Sequence, residues 1–383
     1  MNEDKATRYQ RLRRRAQAAS IVASATALVL LIVTGGAVWL RDVGQALSRL
    51  ALSSPTSTVL PAIVVGILLS LLLNVVTLPL SVYRDWLLDR RYGVERVSLQ
   101  AWLATHVKGT LIGLVLALGA VIVLQACQAW SREWWWVAAA LALGLAQIGV
   151  TAAVPWLLPS FARLRPLERP PLNDRLDQLA RRAGAGASMP IYAWSDPTAA
   201  RRAQAALVGL GRTRRVLLSD MLLEAFGEEE IEVIVAHELA HHVHRDLWKA
   251  ALGRMFMLIA GFGAAYVLLG WTGGAGSEAG PADPAALPLI ILAVGFVAAV
   301  TSPLILALSR RQERQADAFS LDLTGNPSAF VNVMRRMAAL NLADERRPSQ
   351  LVELFFASHP SIDERVAAAR AWRPRPSPAA GMR

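Results

Sequence analysis

The sequence predicts a mainly α-helical protein that crosses a membrane several times. Hydrophobic residues make up 54% of the 383 positions and charged residues only 18%, a balance typical of membrane proteins. Six apolar runs are long enough to cross a bilayer, which takes about 20 helical residues. Basic residues concentrate in every second connection between these runs. We therefore expect a polytopic α-helical membrane protein.

The six runs have recognisable limits. The first follows a basic segment, residues 1–17, and no small-residue cleavage site ends it, so we expect a retained anchor. Trp130 and the tryptophans at 134–136 gather between the third and fourth runs, as amphipathic rings do at a membrane interface. The expected spans are 18–40, 59–82, 107–126, 134–158, 250–271 and 286–308.

The distribution of basic residues predicts one orientation. The N-terminal segment, the connection after the second span and the segment after the fourth are rich in arginine. The alternate connections hold only Arg41, Arg49 and Arg132. The positive-inside rule then puts both termini in the cytoplasm. The net charge of +11 is spread beside the spans, which favours contact with anionic lipid headgroups over nucleic-acid binding.

Four parts follow along the chain: residues 1–159 with four spans, 160–246, a two-span hairpin at 247–309, and 310–383. The second part is polar and rich in arginine and proline. It predicts a short helix at 173–183, a strand at 216–219, and helix starts at Ser219 and near Glu228. The apolar pattern after Asp246 allows the last of these helices to continue directly into the fifth span. Residues 373–383 predict a loose tail.

A candidate metal site lies in the run VIVAHELAHHVH, residues 233–244. His237 and His241 are four residues apart and share one face of a helix, so both imidazoles can bind one ion. Imidazole suits zinc (Zn²⁺), which keeps one position open for water in catalytic sites. Glu238 is rotated by about 100° from His237, where it can take a proton from that water. The sequence therefore predicts a metal-dependent hydrolase.

An inert amphipathic helix can also contain HExxH by chance. Here the motif follows an apolar run and holds four of the six histidines of the chain, which favours a metal site. We expect His242 and His244 to be solvated neighbours, because the pair at 237 and 241 already occupies the face.

A third ligand is expected just after the sixth span. Glu313 and Asp317 are four residues apart in SRRQERQAD, again on one helical face. Glu313 can bind the metal while Asp317 orients a ligand histidine through its free ring N–H. The alternative is a solvated helix start in which Glu313 pairs with Arg310 or Arg314.

Taken together, HELAHH, SRRQERQADAF and ASHPSIDER resemble the membrane zinc metallopeptidases of the type I CAAX prenyl protease family. The heat-shock-induced membrane protease of bacteria is a more distant relative. Three other stretches resemble the CAAX protease branch: Leu78–Trp102 with Gly93 at the family's glycine, Phe161–Glu168, and Gly209–Leu223. The resemblance covers most of residues 60–370.

The resemblance implies a zincin-type metallopeptidase portion at the cytoplasmic face. It implies His237, His241 and Glu313 as ligands of one zinc ion. It implies Glu238 as general base and Asp317 as partner of a ligand. It further implies that His359, and with it Arg365, faces the substrate carbonyl or the developing oxyanion. The architecture implied is a ring of transmembrane helices around a large intramembrane chamber.

The chain departs from that family at two points. Six spans are one fewer than in the eukaryotic members, which raises the question whether the ring is complete. Gln204 stands in the edge strand where the family typically has an asparagine, at a position that contacts substrate. The alanine- and arginine-rich composition favours a bacterial protein of the inner membrane. Bacteria generally lack prenylated CAAX proteins, so another peptide or membrane protein is the expected substrate.

We therefore expect a membrane-embedded zinc metalloendopeptidase that hydrolyses membrane-associated or CAAX-like peptides. One alternative is a non-catalytic membrane scaffold that binds lipidated or amphipathic peptides, and the intact Glu238 argues against it. A second is a transporter in which HExxH is incidental. The near absence of charged residues within the spans argues against an ion pathway.

Overall fold

The structure is a computed structural model of the 383-residue chain, and it is mainly α-helical as predicted. Parts of the predicted connection 273–284 and of the predicted tail 373–383 lie outside the residues that it describes. The described residues are 4–51, 59–94, 97–160, 162–185, 190–195, 203–271, 280–343 and 347–374.

Six helices of the described chain are long and apolar enough to cross a membrane, which confirms a multi-pass membrane protein. Four of them lie in the N-terminal half, where a π-helical turn at Tyr83–Leu87 joins α3 to α4. The helices of this half are α1 (Lys5–Val33), α2 (Gly36–Ala51), α3 (Val59–Val82), α4 (Leu88–Tyr92), α5 (Leu99–Trp130) and α6 (Trp135–Leu157).

The first span ends at Val33, and its predicted end at residue 40 is wrong. Gly35 adopts a φ of +77°, a left-handed conformation that glycine takes at the lowest cost. The chain therefore turns here, and α2 forms a separate amphipathic helix that packs on α3. The apolar run continues across the break, so composition did not mark it. The helix of the third span begins at Leu99, earlier than predicted, where the Ser98 hydroxyl caps it.

The second half carries a small mixed sheet and eight more helices. The sheet order is β1-β2-β4-β3, with β2 and β4 parallel and the other pairs antiparallel. The strands are β1 (Arg163–Pro166), β2 (Ile191–Ser195), β3 (Ala205–Val208) and β4 (Arg215–Ser219). The helices are α7 (Pro170–Arg182), α8 (Asp220–Ala225), α9 (Glu228–Val243), α10 (Asp246–Trp271), α11 (Leu287–Thr324), α12 (Pro327–Asn341), α13 (Gln350–Phe356) and α14 (Ile362–Ala371).

α9 does not continue directly into the fifth span, which corrects that expectation. It ends at Val243, and Arg245 takes a left-handed φ of +57°. Asp246 then starts α10 as a separate helix. The hydrophobic pattern did not show this break, because a single residue with positive φ reorients the chain without changing its composition.

α11 is one helix of 38 residues that contains the sixth span and continues well beyond it. Its exposed large side chains form a row at every fourth position and end at Leu308; the row is Phe296, Val300, Leu304 and Leu308. Pro303 lies inside the helix, and its ring cannot donate to the carbonyl of Ala299. The hydroxyl of Ser302 donates to that carbonyl instead, at 2.8 Å.

The six spans pack around a closed ring in the order α1, α3, α5, α6, α10, α11 and back to α1. Each span contacts both of its neighbours in this order. Six spans are therefore enough to complete the ring, although the eukaryotic members of the resembled family were expected to use one more. The sheet and the end of α11 lie at one end of this ring.

α2 covers the opposite end of the ring. The guanidinium of Arg41 in α2 contacts the carboxylate of Asp283, just before the sixth span, at 3.1 Å. Asp283 is almost completely buried. On the third span, the amide of Gln128 donates to the carbonyl of Pro281 at 2.7 Å. These contacts tie α2 and the third span to the start of the sixth span, far from the sheet.

Candidate metal centre

α9 places the HExxH motif against the protein core. Its buried face, with Ile231, Val235 and Leu239, packs into the apolar core formed with the sheet, α7 and α12. The backbone amide of Gly227 donates to the carboxylate of Glu230 at 2.9 Å, which caps the first turn. The helix therefore has both a fixed start and a fixed rotation about its axis.

Two histidines of α9 and one glutamate of α11 converge. The Nε2 atoms of His237 and His241 are 3.3 Å apart. The Glu313 carboxylate lies 3.3 Å from Nε2 of His237 and 3.5 Å from Nε2 of His241. All three residues offer one ligand atom within 4.8 Å of the others. The structure thus brings the three expected metal ligands to one point.

Each histidine has a carboxylate beside it. Asp317 Oδ1 lies 3.0 Å from Nδ1 of His237, and Asp246 Oδ2 lies 3.0 Å from Nδ1 of His241. The contact of His241 with Asp246 is a hydrogen bond, and because a carboxylate can only accept, Nδ1 of His241 carries the proton and its Nε2 faces the convergence point. Nδ1 of His237 lies close to Asp317 but makes no hydrogen bond of good geometry within the described residues. Lys249 donates to the other oxygen of Asp246 at 2.8 Å.

Arg365 is hydrogen-bonded to Asp317 beside the ligand histidine His237. Its guanidinium makes two hydrogen bonds to the Asp317 carboxylate, at 2.8 and 2.5 Å. The nearest oxygen of Glu313 is 3.9 Å away. Arg365 was expected to face the substrate carbonyl or the developing oxyanion. It lines the same cavity as Glu238 and His359, and its shortest contacts are with the Asp317 carboxylate beside His237.

His359 stands at the open side of the site. Its Nε2 atom lies 3.3 Å from the Glu313 carboxylate, and its side chain is 59% exposed. The hydroxyl of Ser358 lies 2.8 Å from Nδ1 of His359. Arg310 holds this segment on α11 by donating to the carbonyl of Ala357 at 2.7 Å. The ring is thus positioned next to the ligands with one nitrogen directed toward the cavity.

The two arginines near Glu313 in the sequence, Arg310 and Arg314, pair with other carboxylates. Arg310 lies 3.7 Å from the carboxylate of Glu353, and Arg314 lies 3.5 Å from that of Glu364. The alternative in which Glu313 pairs with either arginine is therefore not seen.

His242 and His244 lie outside the group of ligand atoms. His242 contacts the guanidinium of Arg214. The ring of His244 packs edge-on against Phe319, with centroids 5.5 Å apart. Both residues are neighbours of the site, as expected.

The electrostatics of the metal-free site favour a bound cation. Burial alone lowers the pKa of His237, but contacts with the Asp317 and Glu313 carboxylates outweigh it and raise the pKa to about 9. Burial raises the pKa of Glu313, yet its contacts with both imidazoles hold that pKa well below its usual range. Desolvation raises the pKa of Glu238. The three converging groups therefore attract a positive charge, which a proton or a metal ion can supply.

The donor set fits a divalent transition metal. Two imidazole nitrogens face the Glu313 carboxylate, with Oε2 3.3 Å from His237 and Oε1 3.5 Å from His241. The Oε2 atom of Glu313 is buried and has no hydrogen-bond partner among the described residues. Two histidines and a glutamate form the ligand set of one class of catalytic metal sites, which keep an open position for water.

A cavity of about 570 Å³ opens beside the ligands. Glu238 and Gln204 line it, and β3 forms one side as an edge strand of the sheet. The opposite wall is apolar, with Phe330, Val333 and Met334 of α12. The cavity therefore offers the edge of a sheet, an apolar surface and a carboxylate next to the metal ligands, with the Leu207 amide of β3 hydrogen-bonded to Glu238.

Asp246 is the residue of this site that the sequence analysis missed. It lies five positions after His241, next to the residue with positive φ, and is 5% exposed. In the sequence, Asp246 is recognisable only as an acidic residue immediately before an apolar span. Such a residue is usually a solvated charge at the membrane surface, so its position did not indicate a contact with His241. The turn at Arg245 folds it back onto the histidine.

Comparisons with known proteins agree with this geometry. The model of peptidase family M48 matches residues 166–373, which is more than half of the chain. The model described as CAAX prenyl protease N-terminal, five membrane helices, matches residues 2–163. In that region the structure has four spans and the shorter helix α2.

Individual relatives cover most of the chain. The uncharacterized metalloprotease YhfN of Bacillus subtilis is 27% identical over 309 residues, 78% of this chain and 70% of that protein. CAAX prenyl protease 1 of Saccharomyces cerevisiae is 25% identical over 323 residues, 79% of this chain and 70% of that protein. The crystal structure of S. mikatae Ste24p superposes with a TM-score of 0.80 at 19% identity, covering 95% of this chain and 87% of that one.

The yeast structure, at that identity, supports the fold alone, whereas the M48 model matches the segment that contains the converging histidines and glutamate. M48 enzymes are metal-dependent peptidases, and the six spans embed this one in a membrane. The chain belongs to peptidase family M48 and is a membrane metalloprotease.

Proposed function

We propose that this metalloprotease uses zinc and cleaves peptide bonds at the cytoplasmic face of a bacterial inner membrane. The observation that carries the choice of metal is the 3.3–3.5 Å separation among His237 Nε2, His241 Nε2 and the Glu313 oxygens. Ligands at about 2.0–2.1 Å from a tetrahedral zinc ion lie roughly 3.3–3.4 Å from each other. The separation of the two imidazole nitrogens fits two corners of such a tetrahedron, and the Glu313 carboxylate, with one oxygen near each nitrogen, is placed to supply the third.

Bound zinc supplies Lewis acidity, which polarises the scissile carbonyl and makes a water more acidic. Glu238 accepts the proton of that water, because it lines the same cavity and its raised pKa makes it a stronger base. The Glu238 carboxyl then returns the proton to the leaving amine. Asp317 and Asp246 keep both imidazoles in the tautomer that binds metal through Nε2.

His359 stabilises the charge that develops on the carbonyl oxygen. The hydroxyl of Ser358 donates to Nδ1, which leaves the proton on Nε2, the nitrogen that faces the cavity. Arg365 neutralises Asp317 and keeps that carboxylate in place. His359 therefore acts on substrate, and Arg365 acts through another side chain.

The substrate binds as an added strand along β3. This strand is at the edge of the sheet, where an extended peptide can pair with its backbone, and the Leu207 amide on this edge donates to Glu238 in the substrate-free protein. Gln204 lies at the start of that edge and contacts the peptide, and the wall of α12 accepts an apolar side chain. Membrane-associated or CAAX-like peptides fit this combination, and so does an extended segment of a membrane protein.

The orientation follows from the basic connections. A reporter fused within the connection 273–284 is expected to behave as external, and one fused near Arg169 as cytoplasmic. Both reporters on the same side of the membrane would contradict the six-span topology.

Glu238→Gln tests the enzymatic proposal against a non-catalytic scaffold. The amide cannot accept a proton, so cleavage of a general peptide substrate should fall by about 10²–10⁴-fold while zinc content stays near that of the unmodified protein. Glu313→Ala should lose zinc itself. Glu224→Gln, an exposed change on α8, is the matched control and should leave both unchanged. Undiminished cleavage by Glu238→Gln would contradict the proposed mechanism.

A further inference from the structure

Outside the spans, exposed large apolar side chains cluster on one helix. Within the described parts of residues 159–242 and 309–374, all exposed large hydrophobic side chains belong to α13, and the next one after residue 242 is Val243 at the end of α9. They are Leu351, Leu354, Phe355 and Phe356. Clustered exposed apolar residues on an otherwise polar surface mark a contact with a partner or a membrane.

Three of these side chains form one face of α13. Leu351, Leu354 and Phe355 have the spacing i, i+3, i+4, which places them on one side of a helix. Leu351 is 71% exposed. Glu353 lies on the opposite side, where α13 packs against α11. The apolar face therefore points away from the helix to which α13 is attached.

α13 is held at the level where the sixth span ends. Arg310 donates to the carbonyls of Glu353 and Ala357, both at 2.7 Å. Arg310 lies two residues beyond Leu308, where the exposed apolar row of α11 ends. The attachment point of α13 is thus within one helical turn of the membrane boundary of α11.

Exposed basic side chains lie near α13. Arg347 precedes α13, its side chain is 79% exposed, and its guanidinium lies 3.8 Å from the Glu353 carboxylate, on the side away from the apolar face. Arg311, on α11 beside the end of the apolar row, is also exposed. An apolar face next to exposed arginines complements the acyl chains and the anionic headgroups of a lipid surface.

We propose that α13 docks on the bilayer and inserts Leu351, Leu354 and Phe355 at the boundary between headgroups and acyl chains. The membrane face involved is the one that carries the metal site. α13 ends three residues before His359, and Arg310 fixes both segments to α11. Docking of α13 on the bilayer would therefore help to fix the position of the loop that carries His359. This inference stands whether or not the metal is zinc.

A lipid carrying a photoactivatable group on its acyl chain tests the contact with the unmodified protein. The protein is reconstituted in nanodiscs that contain this phospholipid and an anionic phospholipid, irradiated, and its lipid adducts are mapped by mass spectrometry. We expect adducts on residues 350–356 and around Leu304 of α11, and none on α12. Adducts around Leu304 but none on 350–356 would overturn the proposal.

Spin labels give an independent measurement. In a Cys127→Ser background, Leu351→Cys and Phe355→Cys are labelled singly, with Leu304→Cys as bilayer control and Glu224→Cys as aqueous control. We expect the labels at 351 and 355 to collide with oxygen and to be protected from a water-soluble nickel reagent, like the label at 304. Accessibility to nickel like that at 224 would show a water-filled chamber, and protection from both reagents would show a protein partner. Either result would refute bilayer docking.

Discussion

Replacing Asp246 with asparagine tests whether a residue outside the ligand set supports the metal site. The carboxylate is buried, 3.0 Å from Nδ1 of His241 and 2.8 Å from the amine of Lys249. Asparagine keeps the size and one acceptor oxygen but removes the charge that makes Nε2 of His241 a better ligand. Partners of this kind contribute about 10–100-fold in metal affinity, which corresponds to ~1.4–2.7 kcal/mol.

The assay is a zinc competition titration with a chromophoric chelator on the purified, detergent-solubilised protein. Lys249→Met is the matched control, because Lys249 is half-exposed and removing it leaves the contact between Asp246 and His241 intact. Its zinc affinity should stay within about twofold of the unmodified protein. An Asp246→Asn protein that binds zinc as tightly as the control would refute the role assigned to Asp246.

Three further predictions concern the same region. Below pH 9 the metal-free His237 carries a proton that zinc must displace, so zinc affinity should rise roughly tenfold per pH unit up to about pH 9, as measured by titration at several pH values. A flat profile would contradict the proposed protonation of metal-free His237. His359→Ala should lower turnover about 10–10³-fold with zinc content unchanged, and loss of zinc would make it a ligand instead. Arg245→Gly should raise the free energy of unfolding by about 0.5–1 kcal/mol, because glycine removes the strain of a φ of +57°. Arg245→Ala should show no such gain in the same denaturation experiment.

Local spacing in the sequence was enough to predict the relations within single helices. The four-residue interval between His237 and His241, and that between Glu313 and Asp317, each define one helical face. Relating Glu313 to the histidines needed one further inference. Two spans separate them in the sequence, and a two-span hairpin returns the chain to the same side of the membrane. The structure places these residues together, and their roles in catalysis stay predictions.

The features that the sequence analysis missed depend on single backbone conformations or on short elements. Gly35 and Arg245 interrupt helices without any change in apolar content. β1 and β2 have only four and five residues, too few for an alternating pattern to stand out. The contact of Asp246 with His241 exists because of the turn at Arg245, so it could not be predicted while the helix was expected to continue. Ring closure depends on which spans pack together, and hydropathy alone does not determine that.

α11 has a mechanical consequence for the metal site. Glu313 lies about fifteen residues beyond the middle of the sixth span, roughly 22 Å along the helix axis. A change in tilt of about 5° moves such a point by roughly 2 Å, whereas metal–ligand distances tolerate about 0.2 Å. Bilayer thickness changes the tilt of spans. A change in the tilt of α11 would therefore displace Glu313. The metal–ligand distances are kept only if α9, which carries the two histidines, moves together with α11.

The connection between α11 and the histidines is visible in the structure. The hydroxyl of Ser320 in α11 donates to the carbonyl of Val233 in α9 at 2.9 Å, and α11 packs along both α9 and α10. We therefore expect α9, α10 and α11 to move together when the thickness of the bilayer changes. Because α9 also shares one apolar core with the sheet, we expect β3 to move with these helices, so a change in bilayer thickness would shift the metal ligands and the strand edge together.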